Sequence, residues 1–229
     1  MELLKPLYGQ KLRGWLFGLT IAVIVMTTIS VCSSLFQVYV IDSIVHQKQL
    51  PGGFADASDN FQTWSSILTL AVYIPFFVCF VLWLRASYRN VDLLGRLTDY
   101  KYGWAIGAFF VPFLNLVRPF QIVKEILEKS NPRFEPLRAS ERGLLWTWWL
   151  LFLVSGVLGQ VVFRSQPKAG ASAQDYLNFS WFMAASDLLD IVVNPLFLLL
   201  LIAITEKQTS RWKERQAETS LVSAPATTP

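Results

Sequence analysis

One histidine and two cysteines are the only imidazole and thiol groups that this 229-residue chain offers a metal. His46 stands in a polar stretch with no further ligand at short spacing, so no metal site is expected. Cys32 and Cys79 fall inside long apolar runs, away from any loop partner. They read as free, buried, small hydrophobes that say nothing of redox compartment. The chain also lacks a Gly-x-Ser-x-Gly elbow, a His-Glu-x-x-His helix and a glycine-rich phosphate loop. That leaves no catalytic or cofactor-binding residue to nominate and argues against an enzyme. The net charge of +4 would raise the question of nucleic acid in a water-soluble protein. Here the cations flank apolar runs, so topology accounts for them and no nucleic-acid partner is expected.

What the chain has in quantity is apolar length: 53% of residues are hydrophobic and the mean hydropathy is +0.41. Runs at about 14–41, 64–84, 143–163 and 180–204 each hold the roughly 20 residues that a membrane crossing needs. The expected fold is an all-α integral membrane protein with four transmembrane helices in a single domain over 1–204. Lys5, Lys11 and Arg13 precede the first run, but that run is too long for a signal peptide and no small-residue cleavage site follows, so it reads as a retained helix. Gly14, Gly18, Thr27, Thr28, Ser30, Ser33 and Ser34 suit close helix packing better than a polar pore lining. Trp146, Trp148 and Trp149 suggest an aromatic belt at the membrane interface. The tail, 205–229, is first basic and then an Ala, Thr, Ser and Pro mixture, and is expected to be disordered and cytoplasmic.

The stretch 83–119 organises the rest. Within it an apolar run, 104–117, is bounded by Lys101 and Arg118 and broken by Pro112 and Asn115. Its 14 residues rise about 21 Å as a helix, against about 30 Å of hydrocarbon. It is therefore read as a short re-entrant segment or one buried among the helices. Asn115, one turn after Pro112, is placed to satisfy the interrupted backbone with its own donor and acceptor. From Pro119 to Lys129, Phe120, Val123, Ile126 and Leu127 share one helical face, while Gln121, Lys124, Glu125 and Glu128 share the other. Pro119 suits a first helical position, and the pattern is a cytoplasmic amphipathic helix lying on the membrane surface or against the bundle. If 104–117 does not cross, 17 of the 20 Lys and Arg fall on the side of the termini and 3 on the other. The positive-inside rule then places both termini in the cytoplasm, with the chain in the cell membrane.

Trp83, Arg85, Arg89-Asn90, Leu94-Gly95 and Gly103-Trp104-Ala105 stand in order before Phe110-Val111-Pro112-Phe113-Leu114-Asn115-Leu116-Val117-Arg118-Pro119-Phe120 and Lys124-Glu125-Ile126. Over roughly half its length, and again from Ile204-Thr205 to Gln208, the chain resembles domain-of-unknown-function family 4328, a group of bacterial multi-pass membrane proteins. Lys101-Tyr102 replaces the Ser-Pro common in that family, so the turn into the short run is expected to differ. The resemblance implies fold and membrane placement and carries no activity.

Two functional readings follow. The preferred one is a non-enzymatic scaffold or regulatory protein. Its cytoplasmic face, built from Arg85, Arg89, Asn90 and the turn to Lys101 together with the amphipathic helix, docks a membrane protein partner or anionic lipid. The alternative is a small transporter or ion pathway using Asp187, Asp190 and Asn194, which share a helical face inside an apolar run, where ionisable groups are expensive. Against that alternative, the same face is available to hydrogen-bond the broken backbone near Pro112 and Asn115.

Overall fold

The computed structural model of the chain describes residues 5–132, 135–168 and 170–222, with the backbone alone at 221 and 222. In chain order its helices are α1 (Gln10–Val45), α2 (Phe54–Leu93), the one-turn α3 (Trp104–Gly107), α4 (Arg118–Lys129), α5 (Ala139–Arg164) and α6 (Ala173–Val222), with a 3-10 turn at Leu114–Leu116. The four long helices, α1, α2, α5 and α6, are long and apolar enough to cross a membrane.

Each long helix outruns the apolar stretch that predicts it. At about 1.5 Å per residue α5 rises about 39 Å and α6 about 75 Å, against about 30 Å of hydrocarbon. The excess is polar. In α6 it takes in residues 205–222, where composition suggests disorder but the chain stays helical. Glu206, Lys207, Gln208, Arg211, Lys213, Glu214, Arg215 and Gln216 are all good helix formers, and Gln208 and Arg211 are buried. Residues 223–229 lie outside the described residues.

The chain separates into two compact units. The first takes the described residues of Met1–Phe17, Val78–Trp146 and Leu198–Pro229; the second takes Gly18–Phe77 and Thr147–Phe197.

In the first unit the core is Leu16, Leu84, Tyr88, Val91, Leu94, Leu145, Leu201 and Ile204, joined by Ile122, Ile126 and Leu127 of α4. The apolar side of α4 is thus consumed by protein, with Lys124 and Glu128 left exposed. Phe120 and Trp146 pack with centroids 4.4 Å apart, and Phe80 meets Phe109 edge-on at 5.6 Å.

In the second unit Val38, Leu177 and Ala184 form a small apolar cluster. A larger aromatic one centres on Phe197, edge-on to Phe76 at 5.6 Å and 6.0 Å from Trp148. Trp148 and Trp149 are only 5% and 3% exposed, so they fill the interior instead of forming the expected belt. Aromatic rings of this size gain most where both faces are covered. Cys32 of this unit is exposed, whereas Cys79 of the first unit is buried as expected. Trp64, Leu70, Val157 and Phe163 are also exposed, the kind of outer surface that lipid covers.

Candidate functional site

Polar side chains gather in both units. In the second, all four long helices contribute. α6 presents Asp187, Asp190 and Asn194 on one face, since residues three and four apart are neighbours on a helix. Asp187 Oδ2 accepts the hydroxyls of Ser34 at 2.6 Å and Ser30 at 3.0 Å, both from α1. Asp190 Oδ1 accepts the hydroxyl of Ser155, on α5, at 2.5 Å. Asn194 Nδ2 donates to Thr27 Oγ1 of α1 and to the Tyr73 hydroxyl of α2, each at 3.1 Å. The Thr27 and Tyr73 hydroxyls are themselves 3.5 Å apart. Among the described residues, no Lys, Arg or His pairs with either carboxylate. Chemically, the cluster is two carboxylates in an apolar helix, solvated by hydroxyls and lacking a fixed counter-charge.

The same unit carries further buried polar atoms. Ser33 donates to Gln62 Oε1 at 2.8 Å, while Gln62 Nε2, Gln37 Oε1 and Thr69 Oγ1 are buried with no hydrogen-bond partner among the described residues.

In the first unit the polar groups serve as clamps. Asn90, on α2, accepts the Tyr8 backbone N–H at 2.7 Å and donates to the Tyr8 carbonyl at 3.2 Å and to Gln208 Oε1 at 3.0 Å. Gln208 in turn donates to the Ser87 carbonyl at 2.8 Å. The Arg89 guanidinium lies 4.2 Å over the Tyr8 ring and 5.8 Å from that of Tyr102, in cation–π reach of both. Gly9 has φ +76, and a Cβ there would press on Ala86. A second clamp centres on Glu125, which accepts the Tyr88 hydroxyl at 2.7 Å, the Asp99 N–H at 2.7 Å and the Lys129 ammonium at 2.8 Å. It fastens the 94–103 turn and α4 to α2.

The sequence candidates thus fall into two sets, one in each unit. Arg89 and Asn90 belong to the first clamp. Arg85 is exposed and makes no hydrogen bond or ion pair among the described residues. Pro119 is buried in the first turn of α4. Pro112 and Asn115 are exposed in the turn before it. The Asn115 side chain makes no hydrogen bond among the described residues; its backbone N–H closes the turn on the Val111 carbonyl at 3.1 Å. Asn115 therefore does not satisfy interrupted backbone, and Asp187, Asp190 and Asn194 bond hydroxyls instead of the chain near Pro112.

Several residues escape a reading of the sequence. Ser30 and Ser34 look like close-packing residues, yet both serve Asp187. Glu125 looks like part of an exposed polar face, yet it is buried. Its signal was local: Lys129 lies at i+4, the spacing at which a charge pair shares one helix face. Among the described residues, no group of three or more His, Cys, Asp or Glu stands close enough to hold a metal ion.

A family model described as "Domain of unknown function (DUF4328)" matches residues 47–206. No curated protein and no solved structure matches the chain.

Proposed function

The chain belongs to the DUF4328 family, whose description names no activity, and from its own residues we propose that it is a multi-pass membrane protein that takes up and releases protons at Asp187 and Asp190. The observation that carries this reading is the pairing of both carboxylates with hydroxyls and, among the described residues, with no cation. An isolated carboxylate charge in low dielectric is strongly disfavoured, so each must hold a proton or a mobile ion for part of its cycle. Hydroxyls suit that exchange, because each can donate to a carboxylate or accept from a carboxylic acid. Asn194, Tyr73 and Thr27 extend the hydrogen-bonded set from α6 to α2 and α1. The 17 to 3 distribution of cations supports cytoplasmic termini in the cell membrane.

The test is proton flux into liposomes loaded with a pH-sensitive dye and carrying the purified chain. The expected result is that an imposed pH gradient collapses faster than in protein-free liposomes, and that Asp190→Asn abolishes the excess. Equal rates with and without protein would refute the reading.

Partner docking is a second reading, favoured by the exposed Arg85, which is unpaired among the described residues. It keeps the charged edge with Lys101 and Lys124 and gives up the apolar face of α4, which protein covers.

A further inference from the structure

The segment 104–117 has two unlike sides within the first unit. Ala105 and Ala108 are fully buried, and Phe109 packs against Phe80. On the other side Phe110 is 69% exposed and Phe113 83%, with Trp104, Val111, Leu116 and Val117 also exposed. Phe113 holds φ +63, a left-handed backbone uncommon for a bulky residue, inside the turn that the Asn115 N–H closes on the Val111 carbonyl. This much aromatic surface does not stand in water without a partner.

The backbone sets the opposite limit. Neither the N–H of Val111 nor that of Phe113 meets an acceptor among the described residues, and Pro112 between them has no N–H to give. In hydrocarbon each unsatisfied backbone group costs several kcal/mol, so lipid-exposed irregular backbone does not occur there. Side chains that need an apolar partner and backbone that needs a polar one are both accommodated at one place, the boundary between headgroups and acyl chains.

Charge at the two ends agrees. Lys101 is exposed, and the Arg118 guanidinium lies 3.9 Å over the Tyr100 ring, which orients it; its Nε is buried, so its terminal amino groups are the donors it offers. We propose that 104–117 is an interfacial wedge whose occupant is the phospholipid leaflet: Phe110 and Phe113 enter the upper acyl region while the turn's backbone and Lys101 and Arg118 meet phosphodiester headgroups. This wedge neither crosses the bilayer nor loops through its centre.

The experiment is nitroxide depth measurement on the full chain in phospholipid nanodiscs, in a background carrying Cys32→Ala and Cys79→Ala. Labels go on Phe113→Cys, on Ile74→Cys as a mid-span reference and on Asp56→Cys as an aqueous one. All three native side chains are exposed, so labelling leaves the packing intact. The expected depth at 113 is about 5–10 Å into the boundary, as for other interfacial elements, between the two references. A depth matching position 74 would overturn the proposal in favour of a re-entrant loop or span, and a depth matching position 56 would overturn it by leaving the wedge in water.

Discussion

Asn90 holds both backbone groups of Tyr8, accepting its N–H at 2.7 Å and donating to its carbonyl at 3.2 Å. One amide thereby ties the segment before α1 to α2, and through Gln208 to α6. Replacing it with Leu takes a partner from the part-buried Tyr8 N–H and strands the buried Gln208 Oε1, and the buried acceptor left unpaired costs about 1–3 kcal/mol. The expected outcome is a lower unfolding temperature in detergent, with faster hydrogen exchange at the Tyr8 amide. Unchanged exchange at Tyr8 would show that the clamp carries no weight.

Gly95 closes α2 with φ +85, and a Cβ there would fall on the Arg215 guanidinium, which donates to the Leu93 carbonyl at 2.9 Å. Gly95→Ala has two costs: the left-handed backbone, about 1–2 kcal/mol, and displacement of Arg215. In an Arg215→Ala background only the first remains. A double-mutant cycle in thermal unfolding should therefore give a smaller penalty for Gly95→Ala when Arg215 is absent. Equal penalties would place Arg215 elsewhere.

Lys129 is paired with Asp99 at 2.6 Å and Glu125 at 2.8 Å. Burial alone lowers its pKa, but the hydrogen bonds to Asp99 and Glu125 outweigh burial and raise it above the ordinary 10.5. A raised folded value means stabilisation that is complete below 10.5 and lost as pH climbs through the folded value. Between neutral pH and about 10 the Lys129 contribution is therefore flat. Lys129→Met should remove one component of the alkaline loss of stability; an identical alkaline limb would contradict this.

The distribution of cations also predicts a topology. Reporters fused after Asp59 and Lys168 should lie outside the cell, and those after Arg96, Ser130 and Thr209 inside. An external reporter at Ser130 would make 104–117 a true crossing and reverse everything after it.

Helix number and class were legible because four apolar runs of membrane length have few alternatives. Helix ends were not: the polar continuations of α2 and α6 bury residues such as Asn90 and Gln208, and burial depends on partners far along the chain. Asp187, Asp190 and Asn194 could be singled out because charge in an apolar run is conspicuous. Their partners could not, since Ser30, Ser34 and Ser155 belong to a residue type that serves equally as spacer or donor. Asn115 shows the converse. Its position after Pro112 suggested local repair of the backbone, but the turn closes through backbone alone and leaves the side chain outside. Asn115→Leu is accordingly expected to change stability by no more than about 0.5 kcal/mol, as for surface positions without special contacts.

The central claim is reversible protonation of the carboxylates on α6, and infrared difference spectroscopy of the reconstituted chain across a pH titration tests it most directly. The account predicts a protonated-carboxyl carbonyl band that appears and disappears with pH and is lost in the Asp187→Asn, Asp190→Asn double variant. A band absent at every pH, or one that survives the double replacement, would contradict it.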